Sequence, residues 1–359
     1  MLKVYQKFII KSFLTKFFNI IVIFLSLTII LGVLEEISFF KDIEANFFYP
    51  YLLTVLNAPI TLFEIFPFIF LLTTQFLFYD FFKKDELNLL KKSGLNNFQI
   101  IKILFFLSFI IGIFNVIIYY NFASQLKFIY SDIKNNFSND NKYLAMVTDS
   151  GLWIKDENNE KILIVKSNYV KGNFLSDAIV NEFNLDFELL RTIQSEKIDI
   201  KNFNWILYNP IITIDNISQK NIEKINLTTN FNEEKINNLF SNISTLDLFK
   251  LFDLKKDFDK LGYSTDEITI HLLKLFSMPL LYGILTILSA VIMFNFTRDK
   301  SLLFHVIIGI LMSVLIYYMN FIFNSLGNSG RLPEFLSVFF PLMIISIFSI
   351  IGLVNINEK

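Results

Sequence analysis

Residues 17–34 read FFNIIVIFLSLTIILGVL, an uncharged run between Lys16 and Glu35. A helix crossing the hydrocarbon core of a bilayer needs about 20 apolar residues. The run fits that length, and charge bounds it on both sides. Four lysines precede it, Lys3, Lys7, Lys11 and Lys16, and it ends at Glu35-Glu36 rather than at small residues. A cleavable signal has a shorter apolar region and a small-residue cleavage site, so the reading is a retained membrane helix.

Further uncharged runs of this order lie at 103–126, 275–297, 306–330 and 335–357. A sixth, at about 45–79, is interrupted by Glu64 and punctuated by Pro50, Pro59 and Pro67. Its helix is expected at about 56–81, with the earlier residues as a loop. Hydrophobic residues make up 53% of the 359. A soluble domain is about 45–50% apolar even with glycine counted, so the excess belongs to membrane spans.

Positive charge orients the spans. With the N-terminus cytoplasmic, Lys3, Lys7, Lys11, Lys16, Lys83, Lys84, Lys91, Lys92, Lys102, Arg298, Lys300 and Lys359 lie inside, against Lys41 and Arg331 in the short outside loops. Both termini are then cytoplasmic, and residues 127–270 lie outside. The expected architecture is a polytopic α-helical membrane protein with six transmembrane helices, three plus three, around an inserted all-β domain. Residues 1–126 hold helices 1–3, 127–243 the β domain, 244–270 a helical connector and 271–359 helices 4–6. Within the β domain, Leu152-Trp153-Ile154, Lys161 to Val165, Ile198 to Ile200 and Phe203 to Ile214 are strand-like runs between turn residues, the spacing of a sandwich or jellyroll.

The most informative polar segment is 82–94, FKKDELNLLKKSG. Leu87, Leu90 and Gly94 fall at i, i+3 and i+7, a short amphipathic helix ended by glycine. Glu86 sits near its start, where a carboxylate suits the helix dipole. Such a helix fits a groove in a soluble partner or a basic loop held at lipid headgroups. Glu64, an ionisable group within a span, either lines a cavity or gate or stays hydrated near the interface. His271 and His305 read as interfacial.

Several chemistries find no support. Net charge is -1, which gives no field for nucleic acid. The absence of cysteine excludes disulfides and thiolate chemistry. The sequence holds no phosphate-binding Gly-x-x-x-x-Gly-Lys-Ser/Thr loop, no Gly-x-Ser-x-Gly elbow and no His-Glu-x-x-His pair. If ATP drives this protein, another chain hydrolyses it.

The chain resembles the YjgP/YjgQ family of lipopolysaccharide-export permeases over nearly its whole length. The resemblance rests on Pro59 and Pro67-Phe68 in helix 2, Asp85-Glu86-Leu87 with Ser93-Gly94, and Gly151-Leu152-Trp153-Ile154-Lys155-Asp156. It continues with Gly262, Pro279, and Gly327 with Leu332-Pro333. It implies a non-catalytic permease subunit of the bacterial inner membrane that pairs with an LptF-like permease above an LptB ATPase dimer, with no cofactor of its own. It further implies a periplasmic β-jellyroll that passes lipopolysaccharide to LptC and LptA. Residues 82–94 then match the family's coupling helix, with Asp85, Glu86, Leu87, Leu90 and Gly94 as coupling residues and Glu86 on its carboxylate position. Lys41, Glu64 and Pro67 become candidate cavity or gate residues. The chain departs from the family at the outer ends of helices 1 and 2, where Lys41 is the one basic residue and Ile60 stands where a lysine can occur. Two other readings stay open, a membrane-anchored scaffold or sensor and an ion-coupled transporter.

Overall fold

The structure, a computed structural model, describes residues 3–41, 43, 45–137, 152–158, 161–171, 173–214, 217–219, 223–233, 235–236, 243–261, 264–295 and 301–358. Gly151, Gly262, Arg298, Lys300 and the side chain of His305 lie outside the described residues. The chain divides into two compact units, Met1–Tyr130 with Asp266–Lys359, and Ser131–Thr265.

The first unit is helical. Its elements are α1 (Val4–Phe39), α2 (Tyr49–Lys83), α3 (Glu86–Lys92), α4 (Asn97–Phe114), a π-turn (Asn115–Tyr119) and the part of α5 (Tyr120–Phe137) up to Tyr130. After the second unit, which includes α6 (Leu248–Leu261), come α7 (Asp266–Asn295), α8 (Leu302–Asn328) and α9 (Glu334–Glu358). Among the described residues six helical segments are long and apolar enough to cross a membrane, α4, the π-turn and α5 counting as one.

Helix α2 starts at Tyr49, earlier than the expected 56. Pro50 falls at its first turn, where the missing N–H costs nothing. Pro59 and Pro67 lie inside the helix, which neighbouring helices make tolerable in a membrane span. The third span likewise runs past residue 126, and α5 continues to Phe137. The first charge, Lys127, marks a change of surroundings rather than the end of the helix.

Aromatic rings fill the centre of the bundle. Phe17 of α1 meets Phe70 of α2 at 4.9 Å, and Phe70 stacks on Tyr282 of α7 at 4.5 Å. Helices α4 and α7 approach closely. A Cβ on Gly112 would lie 2.6 Å from the Pro279 Cα, and one on Gly283 would lie 2.6 Å from the Phe105 ring. Along the same seam the hydroxyls of Ser108 and Thr286 are 2.8 Å apart, and Asn115 Nδ2 donates to the Tyr282 hydroxyl at 3.2 Å. Small residues that admit backbone contact, with polar groups pairing across it, are the usual means of joining helices in lipid. Burial is uneven. In the apolar stretch of α7, 83% of residues are buried, against 11% in α1 and in α8.

Among the described residues of the second unit, eight strands form an antiparallel sheet. They are β1 (Leu152–Asn158), β2 (Lys161–Lys171), β3 (Phe174–Phe183), β4 (Leu189–Asp199), β5 (Asn204–Tyr208), β6 (Ile211–Ile214), β7 (Ile217–Gln219) and β8 (Lys224–Thr228). The order is β1-β2-β3-β4-β5-β8, with β6 also on β4 and β7 on β6. Strands β5 and β6 share one edge of β4, against Lys197–Asp199 and Thr192–Gln194 respectively. Asn209-Pro210 interrupts them where proline removes a ladder donor. Ser195 spans the break, its hydroxyl donating to the carbonyls of Lys197 and Tyr208.

Alternation sends one side of the central strands inward. Register aligns Ile154, Val165, Val180, Ile193 and Ile212 in one row of the core. After β8 the chain turns back over this face, and Phe231 and Ile236 join the core. Trp205 Nε1 donates to the Phe231 carbonyl at 2.7 Å, and Asp156 accepts from Asn230 N and Nδ2 at 2.8 and 2.9 Å. Buried Asp156 therefore has both oxygens occupied, as a buried carboxylate requires. Before α6, Asp247 Oδ1 accepts from Lys250 N, capping that helix.

Candidate functional site

The segment 82–99 is held at both ends of a seven-residue helix, which local backbone chemistry explains. Asp85 takes the left-handed conformation, φ 58°, and its Oδ1 accepts from Asn88 Nδ2 at 2.6 Å. Glu86 stands in the first turn and Lys91 and Lys92 in the last, matching the dipole at each end. Gly94 has φ 84°, the conformation glycine adopts without penalty. Its N–H bonds the Lys91 carbonyl while that of Leu95 bonds Leu90, both bonds of a Schellman motif. Asn96 then caps α4, with reciprocal bonds to Gln99.

The side chains divide by face. Leu87 and Leu90 are buried against the chain's own helices, while Asp85 is exposed and Glu86 half-buried. Leu89 is 60% exposed, a residue that sequence spacing alone had left off the stripe. Val4, Tyr5 and Phe8 of α1 join Glu86, Leu89, Leu90 and Ser93 around a groove of about 430 Å³. Further along α1, Lys16 pairs with Asp80 at 2.5 Å, tying α1 to α2.

A second polar cluster lies far along the bundle from α3. The π-turn inserts one extra residue just before α5, and the consecutive tyrosines there face different neighbours. Tyr119 donates to the Pro59 carbonyl at 3.0 Å, and the Tyr120 hydroxyl sits 2.9 Å from His271 Nε2. Lys127, two turns beyond Tyr120, is within electrostatic range of Glu64 and of His271, and Lys274 acts on His271 as well. Glu64 and Lys274 are exposed and Lys127 is half-buried. In the helix expected at about 56–81, Glu64 would lie about two turns in. The early start at Tyr49 puts it about 22 Å along the axis. Pro67 is half-buried in the same helix, and Lys41 is exposed just past α1. On α1, Glu36 is buried and accepts from the Tyr130 hydroxyl at 2.8 Å.

The sequence model of the lipopolysaccharide export system permease LptF/LptG family matches residues 7–355. The chain belongs to this family. No curated protein matches it. An LptF/LptG permease with six long apolar helices is a multi-pass inner-membrane protein, and the family is one of transport subunits rather than of known enzymes. In this LptF/LptG chain the expected coupling residues, Asp85 to Gly94, form one structural piece. The expected cavity residues do not converge on one site. Glu64 joins Lys127, which sequence reading had placed at the start of the outer domain, while Lys41 and Pro67 have no described contact with that pair. A lysine two turns after an inward tyrosine is the signal that could have found it.

Proposed function

We propose that this chain is the LptG-type permease subunit of an ABC-type lipopolysaccharide exporter. It takes the lipid from the outer leaflet of the inner membrane and passes it to a periplasmic bridge. In this reading both termini are cytoplasmic, the spans divide three and three, and residues 127–270 are periplasmic and jellyroll-like. An LptF-like permease completes the membrane pair, an LptB dimer hydrolyses ATP, and LptC and LptA receive the lipid. The Gly151-Leu152-Trp153 segment favours LptG over LptF.

The observation that carries this reading is the fixed helix α3. Two buried leucines anchor it and motifs lock both its ends, so a push on Glu86 and Leu89 reaches α2 and α4 rather than being lost in a flexible loop. The low burial of α1 and α8 supports a lateral face for the partner permease, with a cavity between the two. Pulling a multi-acyl lipid from the bilayer exposes apolar surface at about 0.8 kcal/mol per CH₂, and a wall of Phe, Ile and Leu offsets that loss. Lys127 and Lys274 add positive charge for the lipid's anionic head to that of Lys41 at the outer ends of α1 and α2.

The test is Glu86→Ala in the assembled complex, with ATPase capture and lipid export measured together. Export should fall strongly. Normal export from a normally assembled complex would overturn the coupling role.

A further inference from the structure

Helix α8 rests on α2 through a contact that leaves polar atoms unmet. Gln75 of α2 is 2% exposed, and neither its amide oxygen nor its nitrogen has a hydrogen-bond partner among the described residues. The amide faces Gly309 of α8, where an added Cβ would lie 2.3 Å from Oε1. Ser313 stands one turn further along the same face of α8. Its buried hydroxyl likewise has no partner among the described residues.

Other hydroxyls of the apolar helices behave differently. Ser26, Thr28, Thr54, Thr74, Ser346 and Ser349 each donate to the carbonyl four residues back. Buried amides and hydroxyls cost free energy when unpaired, most of all where no water reaches them. The contact between α2 and α8 therefore carries a penalty that separation relieves. One turn along α2 the contact with α7 carries none, since Ser289 Oγ donates to the Leu71 carbonyl at 2.8 Å.

The rest of α8 is built as a lever. No proline interrupts it, and Ser301 Oγ caps its first turn by accepting from Phe304 N. The far end is fixed to α9. A Cβ on Gly327 would lie 2.6 Å from Ser337 Cβ, and the Phe323 and Phe340 rings are 5.2 Å apart. Arg331 N and Leu332 N close the turn between the helices on the Leu326 carbonyl. Gly309 lies about 27 Å from Gly327 along the axis. A tilt of about 10° about that end parts Gly309 from Gln75 by about 5 Å, more than the width of a water molecule.

We propose that α8 swings about its Gly327 end, and that the opened Leu302 end admits water to Gln75 and Ser313. Packing at Gly309 holds the closed form, and hydration of the two polar groups holds the open one. The swing follows from contacts within the helical unit and is independent of the proposed transport role.

The test uses the assembled complex in lipid nanodiscs, where reagent reaches both membrane faces. The chain has no cysteine, so Ser313→Cys and Ser289→Cys can each be labelled alone with a water-soluble methanethiosulfonate. Ser313→Cys should react about tenfold faster than Ser289→Cys, as a site reached by local opening does. Adding Gln75→Leu should slow the reaction at Ser313→Cys about tenfold, because it removes the unmet amide from the closed form. Adding Gly309→Ala should speed it, because the new methyl presses on Gln75. Ser289→Cys should stay slow in every background, which separates a swing of α8 from loss of the fold. Equal rates at the two positions would overturn the proposal. So would a Ser313→Cys rate that Gln75→Leu leaves unchanged, or one that Gly309→Ala fails to raise.

Discussion

At the residue scale the two most telling glycines act for different reasons. Gly112 is small because the Pro279 backbone occupies the space a Cβ would take. Gly112→Ala must push α4 and α7 apart, and overpacking of this kind costs about 1–3 kcal/mol. Thermal unfolding of the purified protein in detergent should show that loss. Gly94 has nothing within 4 Å of its would-be Cβ, so only its φ of 84° is at stake. Gly94→Ala should leave the melting point of the membrane unit nearly unchanged. Its strain of about 1 kcal/mol falls on the end of α3, and ATPase capture should weaken several-fold. The sequence marks Gly94 through its place after a short amphipathic run. It gives no sign of Gly112, whose neighbour is 167 positions away.

At the element scale the π-turn is the feature with a consequence for the bundle. It sets the rotation of α4 relative to α5, at the point where Tyr119 reaches α2 and Tyr120 reaches α7. Deleting the exposed Ile118 should straighten α4 into α5 while every residue beyond Tyr119 keeps its face. The Tyr120–His271 contact should survive and the Tyr119–Pro59 bond should be lost, at a cost of about 1 kcal/mol. A melting curve checks the size, and a much larger loss would mean that the π-turn also sets the packing beyond Tyr120. An apolar run such as 103–126 shows that a helix forms but hides an inserted residue. Hydropathy counts how much apolar surface there is and is nearly blind to a single 100° rotation.

At the scale of the whole molecule, the question is where a permease with so few basic residues at the ends of α1 and α2 keeps its charge. Lys127 and Lys274 come from segments far apart in the chain and meet around His271. Lys127→Gln with Lys274→Gln should leave the complex able to co-purify and lower lipid export about tenfold, in line with losing a charge-assisted contact. Export at the normal rate would remove these lysines from the lipid's path. The cluster escaped sequence reading because each lysine stands alone in its own segment.

What the sequence determined by itself is what depends on short-range chemistry. The existence of six apolar helices follows from run length, the strands from alternation, and the end of α3 from Gly94. Each is set by residues within a few turns of one another. The tertiary structure alone decided which side chains face one another across elements. It turned Leu89 outward while Leu87 and Leu90 packed inward, paired Glu36 with Tyr130, and brought Lys127 toward Glu64 and His271. Those contacts depend on helix rotation and on where α2 begins. Rotation is fixed by close packing between distant segments, which no local pattern of residues records.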